Sequence, residues 1–171
     1  MKYLPDIYKK NIFDINYLKL KDKGIKCLIF DLDNTLALID STKVEDKVKE
    51  LNAKLKKDFL IIIVSNSPKK RVSLFGKDLD VDYYPFALKP NIRTLKKIKS
   101  KYKLESSSIA IIGDQFITDM GYGYKGKITK IYVDPLATKD LKITNINRYL
   151  EDKIMSKYNK NNLFKKGNYY E

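Results

Sequence analysis

The chain has 171 residues, 43% of them hydrophobic, enough for one packed core and the length of a single domain. Its 35 basic against 21 acidic side chains leave a formal charge of +14, which draws it toward phosphates of nucleic acid, anionic lipid or small substrates. A single cysteine, Cys27, excludes an internal disulfide, and neither an apolar run long enough to span a membrane nor an export leader is visible, so a cytoplasmic protein is expected. Only three of the cations are arginine, the residue suited to bidentate phosphate and base recognition. The lysine excess therefore reads as a solvated surface, and nucleic acid is the less favoured partner.

Residues 1–22 form an N-terminal flap in which Tyr3, Leu4, Ile7, Tyr8, Ile12, Phe13, Ile15, Tyr17, Leu18 and Leu20 alternate with lysines. Pro5-Asp6 marks a short helix start. The flap either covers a sheet edge or face, or lies on a membrane surface with its lysines toward anionic head groups, as a protein peripheral to the inner face of the membrane would.

Ile25 to Phe30 is an apolar, β-branched and aromatic run too short for a helix, and reads as the buried central strand of a parallel sheet. It ends in Asp31-Leu32-Asp33-Asn34-Thr35-Leu36. Two carboxylates held this close repel unless a cation or a shared proton relieves them, and strand carboxyl ends are where open α/β sheets bind ligands. A turn or helix cap is the plainer reading of the hexapeptide. A calcium loop fits poorly, because Thr35, Leu36 and Thr42 stand where such a loop needs Asp or Asn, Gly and Glu.

Val44, Val48, Leu51 and Leu55 recur at helical spacing, which predicts a helix over 43–57, followed by a buried strand over 59–64. Ser65-Asn66-Ser67-Pro68 opens a helix over 68–77. A short edge strand covers 81–86, and Lys89-Pro90-Asn91 opens a helix whose Ile92, Leu95, Ile98 and Tyr102 share a face. Strand 109–112 ends in Gly113-Asp114, residues 115–125 are helical, and strand 128–133 closes at Asp134-Pro135. A helix over 139–158 carries Ile143, Ile146, Leu150 and Ile154, and 159–171 reads as a flexible polar tail. Strands alternating with helices predict an α/β fold, a three-layer doubly wound parallel sheet in one domain over 1–158, with the motif-bearing core at 23–134. Gly121 to Gly126 spells G-x-G-x-x-G, but it does not leave a strand and open a helix as a dinucleotide fingerprint must, so these read as turn glycines.

Asp31 and Asp33, Ser65, Lys89, and Asp114 with Asp119 thus fall at the ends of four strands on one rim. An aspartate attacking phosphorus must overcome repulsion from its anionic substrate, which calls for a hard, oxygen-bound dication and a lysine ammonium. Asp31 suits the nucleophile, Asp33 the proton donor and then the base toward water. Ser65 would donate to a phosphoryl oxygen, Lys89 would neutralise charge, and Asp114 would complete a magnesium shell with Asp31 and the Asp33 backbone carbonyl. Asp119 is placed to orient Lys89 or a metal-bound water.

Asp31-x-Asp33-x-Thr35-Leu36, Ser65-Asn66, Lys89-Pro90 and Gly113-Asp114-Gln115-x-x-Thr118-Asp119 resemble, in order and spacing, the four motifs of the haloacid dehalogenase (HAD) superfamily of aspartate-nucleophile phosphatases. With Lys70-Arg71-Val72 and Asn147-Arg148, the finer resemblance is to the subfamily IIIA, YqeG-like phosphatases, whose relatives include mitochondrial phosphatidylglycerophosphatases. Ser67-Pro68 and the Gly121–Gly126 stretch depart from the pattern. The resemblance implies a magnesium-dependent phosphomonoesterase with an aspartyl-phosphate intermediate, a substrate loop including Thr35 and Asn66, and a phosphorylated, lipid-borne substrate, phosphatidylglycerophosphate. A soluble phosphate metabolite and a nucleic-acid or ribosome-binding role on the same scaffold are the alternatives. No insertion long enough for a large cap domain follows Asp33 or Ser65. A phospho-switch is disfavoured, since a receiver domain places its acidic pair before the phosphorylated Asp and its Lys-Pro last.

Overall fold

A computed structural model describes residues 2–137 and 144–171, the side chains of 144–148 excepted. Six parallel strands make one sheet: β1 (Ile7–Lys9), β2 (Cys27–Phe30), β3 (Leu60–Val64), β4 (Asp82–Tyr84), β5 (Ile109–Gly113) and β6 (Thr129–Val133), in the order β1-β6-β5-β2-β3-β4. The chain runs outward from β2 through β3 to β4, then crosses back to lay β5 on the other side of β2. Cys27 to Phe30 pair with Leu60 to Ile63 on one side and with Ile109 to Ile112 on the other. Such central strands are buried on both faces, which is why they are continuous aliphatic runs rather than alternating ones.

The period of two sends Leu28, Phe30, Ile61, Ile63, Ala110 and Ile112 into one core, with Val48 and Leu55 of α2 (Asp46–Leu55) and Val72 and Phe75 of α3 (Lys69–Asp78). Cys27, Ile29, Ile62, Val64, Ile109 and Ile111 enter the other core, with Leu95 and Ile98 of α4 (Arg93–Tyr102) and Tyr122 of α5 (Gly121–Gly126). The three-layer α/β reading therefore holds. Only the loop 31–45 separates β2 from α2, and only α3 with its flanking loops separates β3 from β4, so among the described residues no large cap domain stands over the strand ends.

Three segments differ from the sequence reading. Pro5-Asp6 starts no helix; it leads into β1, where Asp6 exchanges hydrogen bonds with Lys130 and Ile7–Lys9 pair with Ile131–Val133. Ile7, Tyr8, Ile12, Ile15 and Leu20 are buried, so the flap is a sheet edge plus a short helix α1 (Tyr17–Asp22) packed on the core. Residues 159–171 are not a free polar tail. Tyr170 pairs with Tyr8 through two backbone bonds, and Phe164 is buried among Tyr8, Phe116 and Tyr132, a docking driven by aromatic area that the surrounding lysines and asparagines disguise.

Gly121 to Gly126 are not turn glycines, because they form α5 itself. A Cβ on Gly123 would stand 2.5 Å from Lys130 Cγ and 2.9 Å from Ile111, so its bareness lets the helix lie on the sheet. The C-terminal helix α6 runs Thr144–Lys160; of the expected 139–158, residues 139–143 lie outside the described residues, as do the side chains of Ile146, Asn147 and Arg148.

Candidate active site

The strand order reverses between β2 and β5, and the crevice outside the carboxyl ends of strands at such a switch point is the ligand-binding position of a doubly wound sheet. Asp31 follows β2 and Asp114 follows β5, joined by the Asp31 N–H to Ile112 carbonyl bond at 2.9 Å. The Asp31 loop closes on itself: the N–H groups of Leu36 and Ala37 reach the Leu32 carbonyl at 3.0 and 3.1 Å, and Asn34 takes a left-handed φ of 62°. Thr35 donates to Asp114 Oδ1 at 3.2 Å, tying the first loop to the last.

Lys89 enters from the loop after β4. Its Nζ lies 2.6 Å from Asp31 Oδ1 and 2.6 Å from Asp119 Oδ1, and its side chain is 1% exposed. The Asn66 carboxamide holds the backbone beneath it, accepting from Lys89 N at 2.7 Å and donating to the Lys89 carbonyl at 3.2 Å across a cis Lys89-Pro90 bond. Asn66 thus positions Lys89. Ser65, at the end of β3, is buried and its Oγ accepts from Ser67 N at 3.1 Å. Asp119 sits in a single π-helical turn, Phe116–Met120, and its carboxylate lies against Gly113, where a Cβ would stand 2.3 Å from it. It also accepts from Gln115 N at 3.2 Å.

Asp31, Asp114 and Asp119 offer carboxylate oxygens all within 4.8 Å of one another, and all three residues are buried. Three carboxylates thus face one ammonium. Burial raises Asp31, Lys89 pulls it back, and Asp119 and Asp33 push it up again, with a net rise. Asp114 is pushed well above the usual carboxylate range by burial, then by Asp31, Asp119 and Glu151. Burial alone would lower Lys89, but Asp119 and Asp31 together outweigh it and its ammonium is held more firmly than in water. A purely oxygen donor set with surplus negative charge fits a hard divalent cation, which removes the repulsion these shifts report.

The sequence reading placed Asp33 in the metal shell through its backbone carbonyl and Asp119 outside it; by side-chain position Asp119 joins the carboxylate cluster. The Asp33 carboxylate does not. It faces the other side of the opening, accepting from Ser67 Oγ and, at 2.6 Å, from Arg71 Nε. Arg71 further donates to the carbonyls of Ser41 at 2.5 Å and Leu38 at 2.8 Å, so one guanidinium staples the first loop to α3 and to Asp33. In the sequence Arg71 is only the middle of the Lys70-Arg71-Val72 pattern, which assigns it no role. Nor does the sequence single out Glu151 of α6, which accepts from Ile117 N at 3.3 Å and adds to the charge around Asp114.

A family model described as mitochondrial PGP phosphatase matches residues 1–136. The chain belongs to that family. It is 35% identical over 155 residues to "Probable phosphatase YqeG" of Bacillus subtilis (strain 168), covering 90% of each chain. It is 25% identical over 145 residues to the chloroplastic phosphatidylglycerophosphate phosphatase 1 of Chlamydomonas reinhardtii, spanning 79% of this chain but only 54% of the algal protein. A HAD-like family hydrolase from Porphyromonas gingivalis superposes with a TM-score of 0.50 at 11% identity, over 74% of this chain and 98% of that one, a likeness of fold alone. The enzyme is a HAD-type phosphatase of the YqeG-like, PGP-phosphatase-related family, a phosphoric monoester hydrolase.

Proposed function

We propose that this phosphatase is magnesium-dependent, works through an aspartyl-phosphate on Asp31, and takes phosphatidylglycerophosphate as its substrate. The observation that carries the proposal is the Asp31 carboxylate at the switch point, 2.6 Å from a buried Lys89 and beside Asp114, in a chain of the PGP phosphatase family.

Lys89, by gripping Asp31 Oδ1, fixes the carboxylate for in-line attack. An oxygen of Asp31 forms a bond to phosphorus as the ester P–O bond breaks, and Asp33 gives its proton to the departing alkoxide. Ser65 donates to a phosphoryl oxygen. Magnesium, held by Asp31 and Asp114, would supply the positive charge that the transferring phosphoryl group demands. In the second step Asp33 takes a proton from water, which attacks the phosphorus and frees Asp31. The arrangement of Asp33 as acceptor from Arg71 and Ser67 is the one suited to this second step. An uncapped rim leaves the alcohol side of the ester unconfined, which suits a phosphate whose acyl chains stay in a bilayer.

The test is phosphate release, with magnesium, from phosphatidylglycerophosphate in detergent micelles against sugar phosphates and nucleotides. The expected result is a strong preference for the lipid and a loss of at least about a thousandfold in Asp31→Asn with the fold retained. Preference for a soluble ester would replace the substrate, and substantial activity in Asp31→Asn would remove the nucleophile.

A further inference from the structure

Among the described residues, the loop that carries Lys89 also carries the two strongest oddities of the surface. Ala87 and Lys89 are buried, while Phe86 and Leu88 between and beside them are 59% and 70% exposed. Both exposed residues have left-handed backbones, with φ of 47° and 53°. Glycine or asparagine is the residue such positions favour, and a bulky side chain there is an outlier. Neither the backbone nor the core accounts for Phe86 and Leu88, so what they serve lies outside the molecule.

Their setting is the mouth of the site. Phe86 N bonds the Ser67 carbonyl at 3.1 Å, Ala87 N bonds the Ser65 carbonyl at 3.0 Å, and Leu88 precedes Lys89. Leu38, another exposed apolar residue, has its carbonyl held by Arg71, which also bonds the Asp33 carboxylate. Cations lie on the adjoining segments: Lys69 and Lys70, just past Ser67, open α3, and Arg93, four residues past Lys89, opens α4, all exposed, and neither helix has an acid in its first turn. Basic residues at helix N-termini oppose the helix dipole, where acids are favoured. An exposed apolar tip with cations on the adjoining helix starts matches the chemistry of an anionic bilayer surface, acyl chains beneath and phosphates above.

The geometry points to Phe86 and Leu88, with Leu38, as a docking tip that inserts into an anionic lipid surface while Lys69, Lys70 and Arg93 meet its head groups, setting the entrance to Lys89 and Asp31 against the membrane. This deepens the lipid-phosphatase reading and rests on it.

The experiment is co-sedimentation with vesicles of phosphatidylcholine and phosphatidylglycerol at low salt, comparing the full chain with Phe86→Gly/Leu88→Gly. Glycine suits both left-handed positions, so the variant keeps or raises the thermal midpoint and keeps hydrolysis of a soluble aryl phosphate. Its vesicle affinity falls at least about tenfold, from the apolar area withdrawn. Lys69→Gln and Lys70→Gln each lower affinity about fivefold, and added salt erodes binding of the parent protein. Equal vesicle binding by parent and glycine variant overturns the docking tip even if phosphatidylglycerophosphate is hydrolysed in micelles. Loss of binding in the variant, with no phosphate released from that lipid by the parent, upholds the tip and instead overturns the substrate proposed above.

Discussion

The two sides of the opening hold their charges in opposite ways. On the Lys89 side three carboxylates and one ammonium are buried together, so negative charge is in surplus and water cannot screen it. On the Arg71 side a single carboxylate, Asp33, meets a single guanidinium, both about one-fifth exposed, and the charges balance. The first arrangement waits on a cation. The second is complete without one and stays in contact with solvent, and in the mechanism proposed above that difference would separate the cation-binding half of the chemistry from the proton-transfer half.

The largest break comes from Lys89→Met, which leaves Asp31 and Asp119 facing each other with no counter-charge. Removing one partner of a buried ion pair costs about 3 kcal/mol or more, whereas exposed pairs such as Lys21 with Asp58 contribute little. Urea unfolding in a chelator should show that loss, and activity should vanish. Adding Asp119→Asn should recover part of the stability, because the second change removes the stranded charge. If the double variant is no more stable than the single one, Lys89 and Asp119 are not coupled as their 2.6 Å contact implies.

Asp114→Asn should split the metal's role from the fold's. Asp114 is raised by burial and like charges, so its ionised form opposes folding. The sign follows: the unfavourable contribution is absent below the unfolded value near 3.9 and grows as pH rises above it. With metal chelated, the variant should therefore melt above the parent at pH 8 and level with it at pH 4. Metal should restore the order, raising the parent more, while the variant needs roughly ten- to a hundredfold more magnesium for half-maximal rate. A variant less stable than the parent at pH 8 in chelator would mean that Asp114 is not held against repulsion.

What was legible in the sequence follows the same division. Cys27–Phe30, Leu60–Val64 and Ile109–Gly113 announce themselves because a strand buried on both faces must be an unbroken apolar run, and Asp31, Ser65 and Asp114 at their ends then fall on one rim without any tertiary knowledge. Asp31 and Asp114 were readable for that reason, whereas Lys89 follows only the three-residue edge strand β4 and is legible, like Asp119, through its place in the order and spacing of the motifs. Arg71 was not, since what distinguishes it from the other cations is the carbonyls of Leu38 and Ser41, which reach it only once the first loop has folded. The edge strand β1 has three residues, too few for a period, and Phe164 belongs to the core only through partners distant in sequence, Tyr8, Phe116 and Tyr132. The glycines of α5 misled because helix interiors disfavour glycine, and the contact of Gly123 with Ile111 and Lys130 that overrides this preference is invisible locally.

Arg71→Lys gives the smallest effect and the sharpest test of the contrast, because it keeps the positive charge near Asp33 while removing the fork that reaches Leu38 and Ser41. If Arg71 positions Asp33 and its loop, kcat should fall about tenfold while the magnesium titration stays where it was, since no group of the carboxylate cluster bonds Arg71 among the contacts described. In a double-mutant cycle with Asp33→Asn the two losses should be far less than additive, for a loop without its carboxylate gains little from being held. A purely structural role would lower stability and leave kcat at saturating substrate close to the parent's. A magnesium requirement that moved with Arg71→Lys would show instead that the two sides of the opening are one electrostatic unit, and the separation of metal and proton chemistry drawn from their burial and charge balance would be wrong.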